Sequence, residues 1–418
     1  MPRFRRTALA AALTIVTAAL STAVALPAPA TAALPTAAVA LGDSFISGEG
    51  AGAYTPVVDA NGVTQGFPGW TAENNNAFFC HRSANASLNQ ATLPGIQNRF
   101  NLACSGGQPH DIANASQARA RGRTVAAQLD QLRAVAQTQD IDLVLIGLGS
   151  NNSSFTFGSV AETCANRFIA DAWTGWWEFW AYLNGPVEQK PCSDADLATA
   201  AQLSAATAET TAAVRQILTT LDQVDADGQH RVVFQDYTNP LPLDLNAAFH
   251  EEDGRDDTRD KFRDLGAERY AAGCPIHRAS LAPGHRFSQG LGGIVKSTRD
   301  TLAAEFPADD LVYLNVQRAF DGARLCESTS SPTGALATPI RLQDGATGTF
   351  VTSLAGKDKI AIQRIANTCV SYLQTCQESW HPNATGHQVL GQCLAGAAVT
   401  AARAVSCVRA SNGTISVS

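Results

Sequence analysis

The chain has 418 residues, of which 45% are hydrophobic and 16% are charged, and its formal net charge at pH 7 is −7. This length allows one large domain or two ordinary ones, and we expect one elaborated domain. The excess of acidic residues argues against nucleic acid or an anionic membrane as the partner.

The N-terminus predicts a signal peptide over residues 1–32. Three arginines lie within the first six residues and precede an apolar run from Ala8 to Leu26, and Ala30-Thr31-Ala32 is a small-x-small cleavage pattern. A transmembrane anchor is the alternative, but polar residues interrupt the run, which ends at Pro27 without a basic flank. We therefore expect a secreted, extracellular protein with no integral membrane segment after cleavage, and a domain over residues 33–418.

Short apolar runs alternate along the chain with longer helical patterns, which predicts an α/β domain around a parallel sheet. The continuous apolar runs are typical of strands that are buried on both faces. The predicted strands are Ala37–Leu41, Asp142–Leu148, Arg231–Phe234 and Leu311–Val316. The predicted helices are Thr124–Gln137, Asp194–Leu221 and one within Thr385–Val405.

Ten cysteines form an even set in a chain that is expected to be exported, which predicts disulfide bonds. Pairing of sequence neighbours is one possible connectivity, and the sequence leaves the last four cysteines unassigned. The neighbour pairs would be Cys80 with Cys104, Cys164 with Cys192, and Cys274 with Cys326, leaving Cys369, Cys376, Cys393 and Cys407. No Cys-x-x-Cys pair is present, so zinc bound by cysteine is disfavoured, and we expect no metal and no cofactor.

A charged stretch runs from Phe249 to Asp264 and predicts a solvated loop and helix face. A calcium site is the alternative, because hard cations favour several oxygen ligands. The stretch does not match an EF-hand loop.

A candidate nucleophile, Ser44, follows the first predicted strand in the sequence Gly42-Asp43-Ser44-Phe45. Open α/β sheets bind ligands at the carboxyl ends of their strands, although the same triplet also occurs in ordinary turns and helix caps. His381 precedes Pro382 and a predicted helix near the other end of the chain. Together the two residues supply what acyl transfer needs, an alcohol and an imidazole base.

Four separated segments resemble the SGNH (GDSL-type) hydrolases, especially secreted actinomycete esterases and lipases. They are Gly42-Asp43-Ser44-Phe45, Ala103-Cys104-Ser105-Gly106-Gly107, Gly149-Ser150-Asn151-Asn152 and His381, in the family's order over about 340 residues. The resemblance implies that residues 33–418 form an SGNH hydrolase domain. The implied fold is a flavodoxin-like three-layer α/β/α sandwich around a parallel sheet, and we expect loop insertions bounded by disulfides.

The resemblance also implies roles for individual residues. Ser44 would be the nucleophile and His381 its general base, with an acyl-enzyme as intermediate. The backbone N–H groups of Ser44 and Gly106 and the side-chain amide of Asn151 would form the oxyanion hole.

Two positions depart from the family pattern. Many relatives carry an aspartate three residues before the histidine, where this chain has Glu378. We expect Glu378 to be the triad acid, and a backbone carbonyl is the alternative. The third segment usually ends in Asn-Asp, whereas here Asn152 takes the second position, which leaves the role of that position open.

An aromatic cluster lies between Cys164 and Cys192 and predicts an apolar substrate-binding wall for an acyl chain. Its tryptophans are Trp173, Trp176, Trp177 and Trp180, and their spacing fits a buried amphipathic helix equally well. We therefore predict a monomeric secreted esterase or lipase that cleaves lipid-like carboxylic esters. A carbohydrate O-acetyl esterase, a phospholipase with the same catalytic residues, and a non-catalytic binding protein on this scaffold are the alternatives.

Overall fold

The computed structural model describes residues 33–55, 80–113, 125–161, 163, 164, 167, 191–224, 230–242, 277–324 and 381–418. Pro35–Ser418 form one compact unit. Nearly all of the other unit, Met1–Leu34, lies outside the described residues, so the signal peptide stays a prediction. None of the described helices has the combination of length and apolar character that a membrane span requires.

Seven described strands form one sheet in the order β2-β1-β3-β4-β5-β6-β7. All neighbouring strands are parallel except β7, which runs antiparallel to β6. The strands are β1 Thr36–Gly42, β2 Asn98–Asn101, β3 Asp140–Gly147, β4 Arg231–Gln235, β5 Asp310–Arg318, β6 Ala404–Arg409 and β7 Ile415–Val417. The predicted α/β fold is confirmed, and the order around β1 is the flavodoxin-like one.

The helices with described bounds that accompany the sheet are α1 Ser44–Ser47, α2 Ser87–Gln90, α3 Gln128–Ala136, α4 Ala200–Val224, α5 Leu281–Glu305 and α6 Ala384–Val399. Single 3-10 turns lie at Pro109–Ile112, Asp194–Asp196 and Arg278–Ser280. Val232, Val233 and Phe234 of β4 are all at most 1% exposed, although successive strand residues point to opposite faces. Both faces of the sheet are therefore covered, as in the predicted three-layer sandwich.

Two of the predicted disulfides are confirmed, and a third was not assigned from the sequence. Cys393–Cys407 joins α6 to β6 across a sequence separation of 14. The confirmed bridges are Cys80–Cys104 and Cys164–Cys192. The remaining cysteines, Cys274, Cys326, Cys369 and Cys376, lie outside the described residues, as does the charged stretch from Phe249 to Asp264.

Candidate active site

The nucleophile turn begins at the end of β1, where Gly42 pairs with Gly147 of β3. Gly42 has φ +142°, and a Cβ there would lie 1.9 Å from the carbonyl oxygen of Gly147. No other residue fits at this position, because both the backbone conformation and the contact exclude a side chain. The chain then passes through Asp43, whose N–H donates to the Gly147 carbonyl at 3.1 Å, and α1 begins at Ser44.

Ser44 thus lies at the carboxyl end of the sheet, as the sequence predicts. The turn is less open than expected, because Ser44 is only 7% exposed. The Asp43 carboxylate caps α1 by accepting a hydrogen bond from the Phe45 N–H at 3.1 Å.

A buried side chain from α3 supports the same turn. The Gly42 N–H donates to Oε1 of Gln128 at 2.8 Å, and Nε2 of Gln128 donates to the Gly42 carbonyl at 2.8 Å. The Cys104 N–H also donates to that carbonyl, at 3.2 Å. Gln128 is fully buried, so one amide satisfies both polar groups of a buried residue two positions before the nucleophile.

His381 reaches Ser44 from the opposite end of the chain. Its Nε2 lies 2.8 Å from Oγ of Ser44, although 337 positions separate the two residues. Asn383 is the N-cap of α6 and accepts from the Gly386 N–H at 3.0 Å, which fixes the start of the helix just after the histidine. The serine hydroxyl can therefore donate its proton directly to the imidazole.

The two predicted oxyanion segments follow β2 and β3, the strands on either side of β1. Gly106 has φ +64°, and the turn closes where the Gly107 N–H donates to the Cys104 carbonyl at 2.8 Å. A Cβ on Gly107 would lie 2.8 Å from the Gly42 carbonyl oxygen, so this turn packs directly on the nucleophile turn. Asn151 is 6% exposed and forms a bridge with Thr156.

A second buried cluster lies behind the Gly106 turn. Nδ1 of His81 is 2.6 Å from Oε1 of Glu49, and the Ser105 hydroxyl donates to Oε2 of the same carboxylate. Burial acts to raise the pKa of Glu49, but the charge and hydrogen bond of His81, the charge of His381 and the hydrogen bond from Ser105 together outweigh it, and the pKa is lowered. This cluster fixes Ser105, the neighbour of Gly106. The glutamate stands in the Gly-Glu-Gly segment after the nucleophile, but nothing in the sequence identifies its partners.

Asn152 shows what the unusual third segment does. Its Oδ1 accepts from the N–H groups of Ser154 at 2.8 Å and Phe155 at 3.1 Å, so the side chain closes the loop after β3. An aspartate could provide the same acceptor. The substitution therefore keeps the turn, while its Nδ2 is buried without a partner in the described part of the chain.

Three phenylalanines form an apolar group beside the catalytic histidine. The Phe157 ring meets the His381 ring edge-on at 6.2 Å between centroids. Phe287 of α5 packs against Phe157 at 6.3 Å and against Phe155 at 5.8 Å. No pattern in the sequence indicated this group. The predicted substrate-binding cluster of Trp173, Trp176, Trp177 and Trp180 lies outside the described residues, as does Glu378.

One group of potential metal ligands, Asp222, His230 and Asp309, occurs in the described ranges. His230 and Asp309 immediately precede β4 and β5. They lie at the amino ends of parallel strands, whereas Ser44 lies at the carboxyl ends. This group therefore takes no part in the chemistry at the serine.

Neither a scan against protein-family models nor a search of curated proteins found a match. A search of solved structures found the extracellular lipase from Streptomyces rimosus, with 19% identity, a TM-score of 0.43, and coverage of 87% of this chain and 99% of that one. It also found phospholipase A1 from Streptomyces albidoflavus NA297, with 17% identity, a TM-score of 0.39, and coverage of 85% and 95%. The carbohydrate acetylesterase Est24 from Sinorhizobium meliloti has 14% identity, a TM-score of 0.27, and coverage of 64% and 80%. The chain is thus similar to a set of esterases and lipases.

Proposed function

We propose that this protein is a secreted serine carboxylic ester hydrolase, an esterase or lipase, that acts through an acyl-enzyme on Ser44. The observation that carries the proposal is the distance of 2.8 Å between Oγ of Ser44 and Nε2 of His381. A hydroxyl and an imidazole in this contact, at the carboxyl end of a parallel sheet, form the nucleophile and base that acyl transfer requires.

The reaction follows from this geometry. His381 takes the proton of Ser44 as Oγ attacks the ester carbonyl, and then gives it to the departing alcohol. Water hydrolyses the acyl-enzyme with the histidine again acting as base. The Ser44 and Gly106 N–H groups and the Asn151 amide stabilise the oxyanion, and the loss of one such donor typically slows the reaction by about 10² to 10³.

Glu378 is the group that we propose to orient His381. A carboxylate that accepts a hydrogen bond from the imidazole of His381 would fix the tautomer of that ring and stabilise the imidazolium that forms during the reaction. A backbone carbonyl is the competing acceptor, and a Glu378→Gln variant distinguishes the two.

The substrate that we propose is a lipid-like ester. Phe157, which is partly exposed, places an apolar ring beside His381, and the buried Phe155 and Phe287 support that ring from behind. An acyl chain can bury itself against such a surface, whereas a sugar would need polar partners there. The three disulfides in the described part of the chain agree with secretion into an oxidising environment.

Two mutants of the full chain test the catalytic assignment. We expect Ser44→Ala and His381→Ala each to lower kcat for p-nitrophenyl butyrate by about 10⁴-fold or more, and Ser44→Ala to abolish labelling by a serine-reactive phosphonate. Ser204→Ala is the matched control, because Ser204 is exposed on α4. Retention of more than a tenth of the wild-type kcat in either mutant would refute the assignment.

A series of p-nitrophenyl esters of rising chain length tests the substrate class. We expect kcat/KM to rise from acetate towards longer acyl chains. A preference for acetate, together with release of acetate from acetylated glycans, would identify a carbohydrate esterase instead. Release of fatty acid from phospholipid vesicles in preference to neutral esters would identify a phospholipase.

A further inference from the structure

Tyr237 lies two residues after β4 and is 5% exposed. Its hydroxyl donates to Oδ2 of Asp43 at 2.6 Å and accepts a hydrogen bond from the Ser150 N–H at 3.0 Å. One side chain from the segment after β4 thus contacts both the residue before the nucleophile and the residue before Asn151.

These contacts form a closed ring. The Ser150 hydroxyl donates to the same Oδ2 of Asp43 at 2.7 Å, while Oδ1 of Asp43 accepts from the Phe45 N–H at 3.1 Å. The ring of Tyr237 also meets Phe45 edge-on at 5.4 Å between centroids. The turn that carries Ser44 and the turn that carries Asn151 are therefore joined through one carboxylate.

The ring is buried, so its members have no alternative partners in water. Burial raises the pKa of Asp43, and this is opposed by the hydrogen bonds from Tyr237, Ser150 and Phe45 and by the charge of His381. Burial and the neighbouring Asp43 raise the pKa of Tyr237 well above 10, so the phenol keeps its proton at neutral pH. Removal of the phenol oxygen would leave the carboxylate with one donor fewer and the Ser150 N–H without an acceptor.

We propose that Tyr237 is a positioning residue for the ester hydrolysis, which holds the nucleophile turn and the oxyanion turn at their working separation through Asp43. This inference rests on the proposed function, because it assigns a part in the same reaction. Stabilisation of the oxyanion depends on the distance between the donors and the developing charge. If the distance between the two turns were no longer fixed, binding of the transition state would weaken more than binding of the substrate.

The competing interpretation is that the hydrogen bond only stabilises the fold, and the chain offers a matched control for it. The Tyr313 hydroxyl on β5 donates to Oδ2 of Asp236 at 2.7 Å, and both residues are buried. The Asp236 carboxylate also accepts from the Val316 N–H at 2.6 Å. Tyr313→Phe therefore removes a buried phenol–carboxylate bond of the same kind from the next strand, without touching either catalytic turn.

The experiment compares the full-length wild type, Tyr237→Phe and Tyr313→Phe. Active sites are counted with a fluorophosphonate, and then kcat and KM for p-nitrophenyl butyrate and Ki for phenylboronic acid, which forms a tetrahedral adduct, are measured per active site. In Tyr237→Phe we expect kcat to fall roughly tenfold to a hundredfold, the range for one hydrogen bond to an ionised group, with KM within about twofold. The Ki of the boronate should rise by a similar factor. Tyr313→Phe should keep all three values within about twofold.

Other results would overturn either this inference or the proposed function. A Tyr237→Phe enzyme with fewer titratable sites but wild-type kcat and Ki per site would show a purely structural role and overturn the inference. An equal loss in Tyr313→Phe would do the same. If Tyr237→Phe fails to fold, Ser150→Ala breaks the ring at its other donor and must give the same signature. A wild type that neither hydrolyses esters nor reacts with the phosphonate would refute the proposed function itself, and this inference with it.

Discussion

Replacement of Gln128 by leucine should destabilise the protein by a predictable amount. Leucine is similar in size, so the main loss is polar. The Gly42 N–H keeps no acceptor in the described surroundings, whereas the Gly42 carbonyl retains the Cys104 N–H. A buried donor left unsatisfied costs about 1–3 kcal/mol, and loss of one of two hydrogen bonds at the carbonyl costs about 1 kcal/mol more. We therefore expect Gln128→Leu to lower the free energy of unfolding by roughly 2–4 kcal/mol.

Thermal melts of the wild type, Gln128→Leu and a control variant test this loss of stability. About 386 residues follow the predicted cleavage site, and an unfolding entropy of about 2.1 cal/mol/K per residue gives about 0.8 kcal/mol/K. The melting temperature of Gln128→Leu should then fall by about 2.5–5 °C. Gln216→Leu is the matched control, because Gln216 is exposed on α4, and it should shift by less than about 1 °C. A Gln128→Leu protein that melts within 1 °C of wild type would refute the hydrogen-bond argument.

Four further results are expected. The pKa of Glu49 lies below its ordinary value of 4.5, because the interactions with His81, His381 and Ser105 outweigh burial. The carboxylate therefore adds stability above pH 4.5, and this stability is lost as the pH falls through the folded-state pKa. The melting temperature of the wild type should fall more steeply below pH 4.5 than that of Glu49→Gln, and parallel curves would contradict this. Removal of the Cys393–Cys407 bridge by a double alanine substitution should lower the free energy of unfolding by about 3 kcal/mol, as measured by denaturant titration. If the ten cysteines are paired, alkylation of the wild type without reductant should label at most two thiols. Glu378→Gln should lower kcat and kcat/KM at least about tenfold, whereas a loss of less than about threefold would favour a backbone carbonyl as the partner of the histidine.

The central strands were predictable because the signal for a buried parallel strand is local. The run Asp142–Leu148 identifies β3, Asp140–Gly147, to within two residues at either end, since both of its faces are covered and no alternation interrupts it. The strand β6 was missed, because the helical pattern Thr385–Val405 hides the end of α6 at Val399 and the start of β6 at Ala404. Short strands near the edge of a sheet carry little pattern of their own.

The helix α5 shows tertiary packing overriding local propensity. Leu281–Glu305 contains a proline and four glycines, which argue against a helix of 25 residues. The structure explains two of the glycines by close approach. A Cβ on Gly290 would lie 2.9 Å from a methyl of Leu203, and one on Gly292 would lie 2.3 Å from Nε2 of Gln317. Contacts of this kind are between distant parts of the chain, so no local pattern reveals them.

The same distinction separates the catalytic pair from the groups that hold it. Ser44 and His381 could be predicted because each stands in a short motif next to a strand or helix end. Gln128 is 86 positions from its partner Gly42, and Tyr237 is 194 positions from Asp43, and neither carries a local signal. Only the folded sheet brings these side chains to the carboxyl end of β1.

This difference in location leads to a difference in how the two sets of residues respond to substitution. Ser44→Ala removes a hydroxyl whose partner, Nε2 of His381, belongs to a half-buried ring, so it abolishes chemistry at little cost in stability. Gln128 and Asp43 are fully buried and satisfy backbone or side-chain groups that have no access to water, so their replacement lowers stability and activity together. Plotting the melting temperature against kcat for single substitutions should therefore separate groups that react from groups that hold the turns. Tyr237 belongs to the second set, because its buried phenol bonds Asp43 and the Ser150 N–H, so Tyr237→Phe should lower the melting temperature as well as kcat.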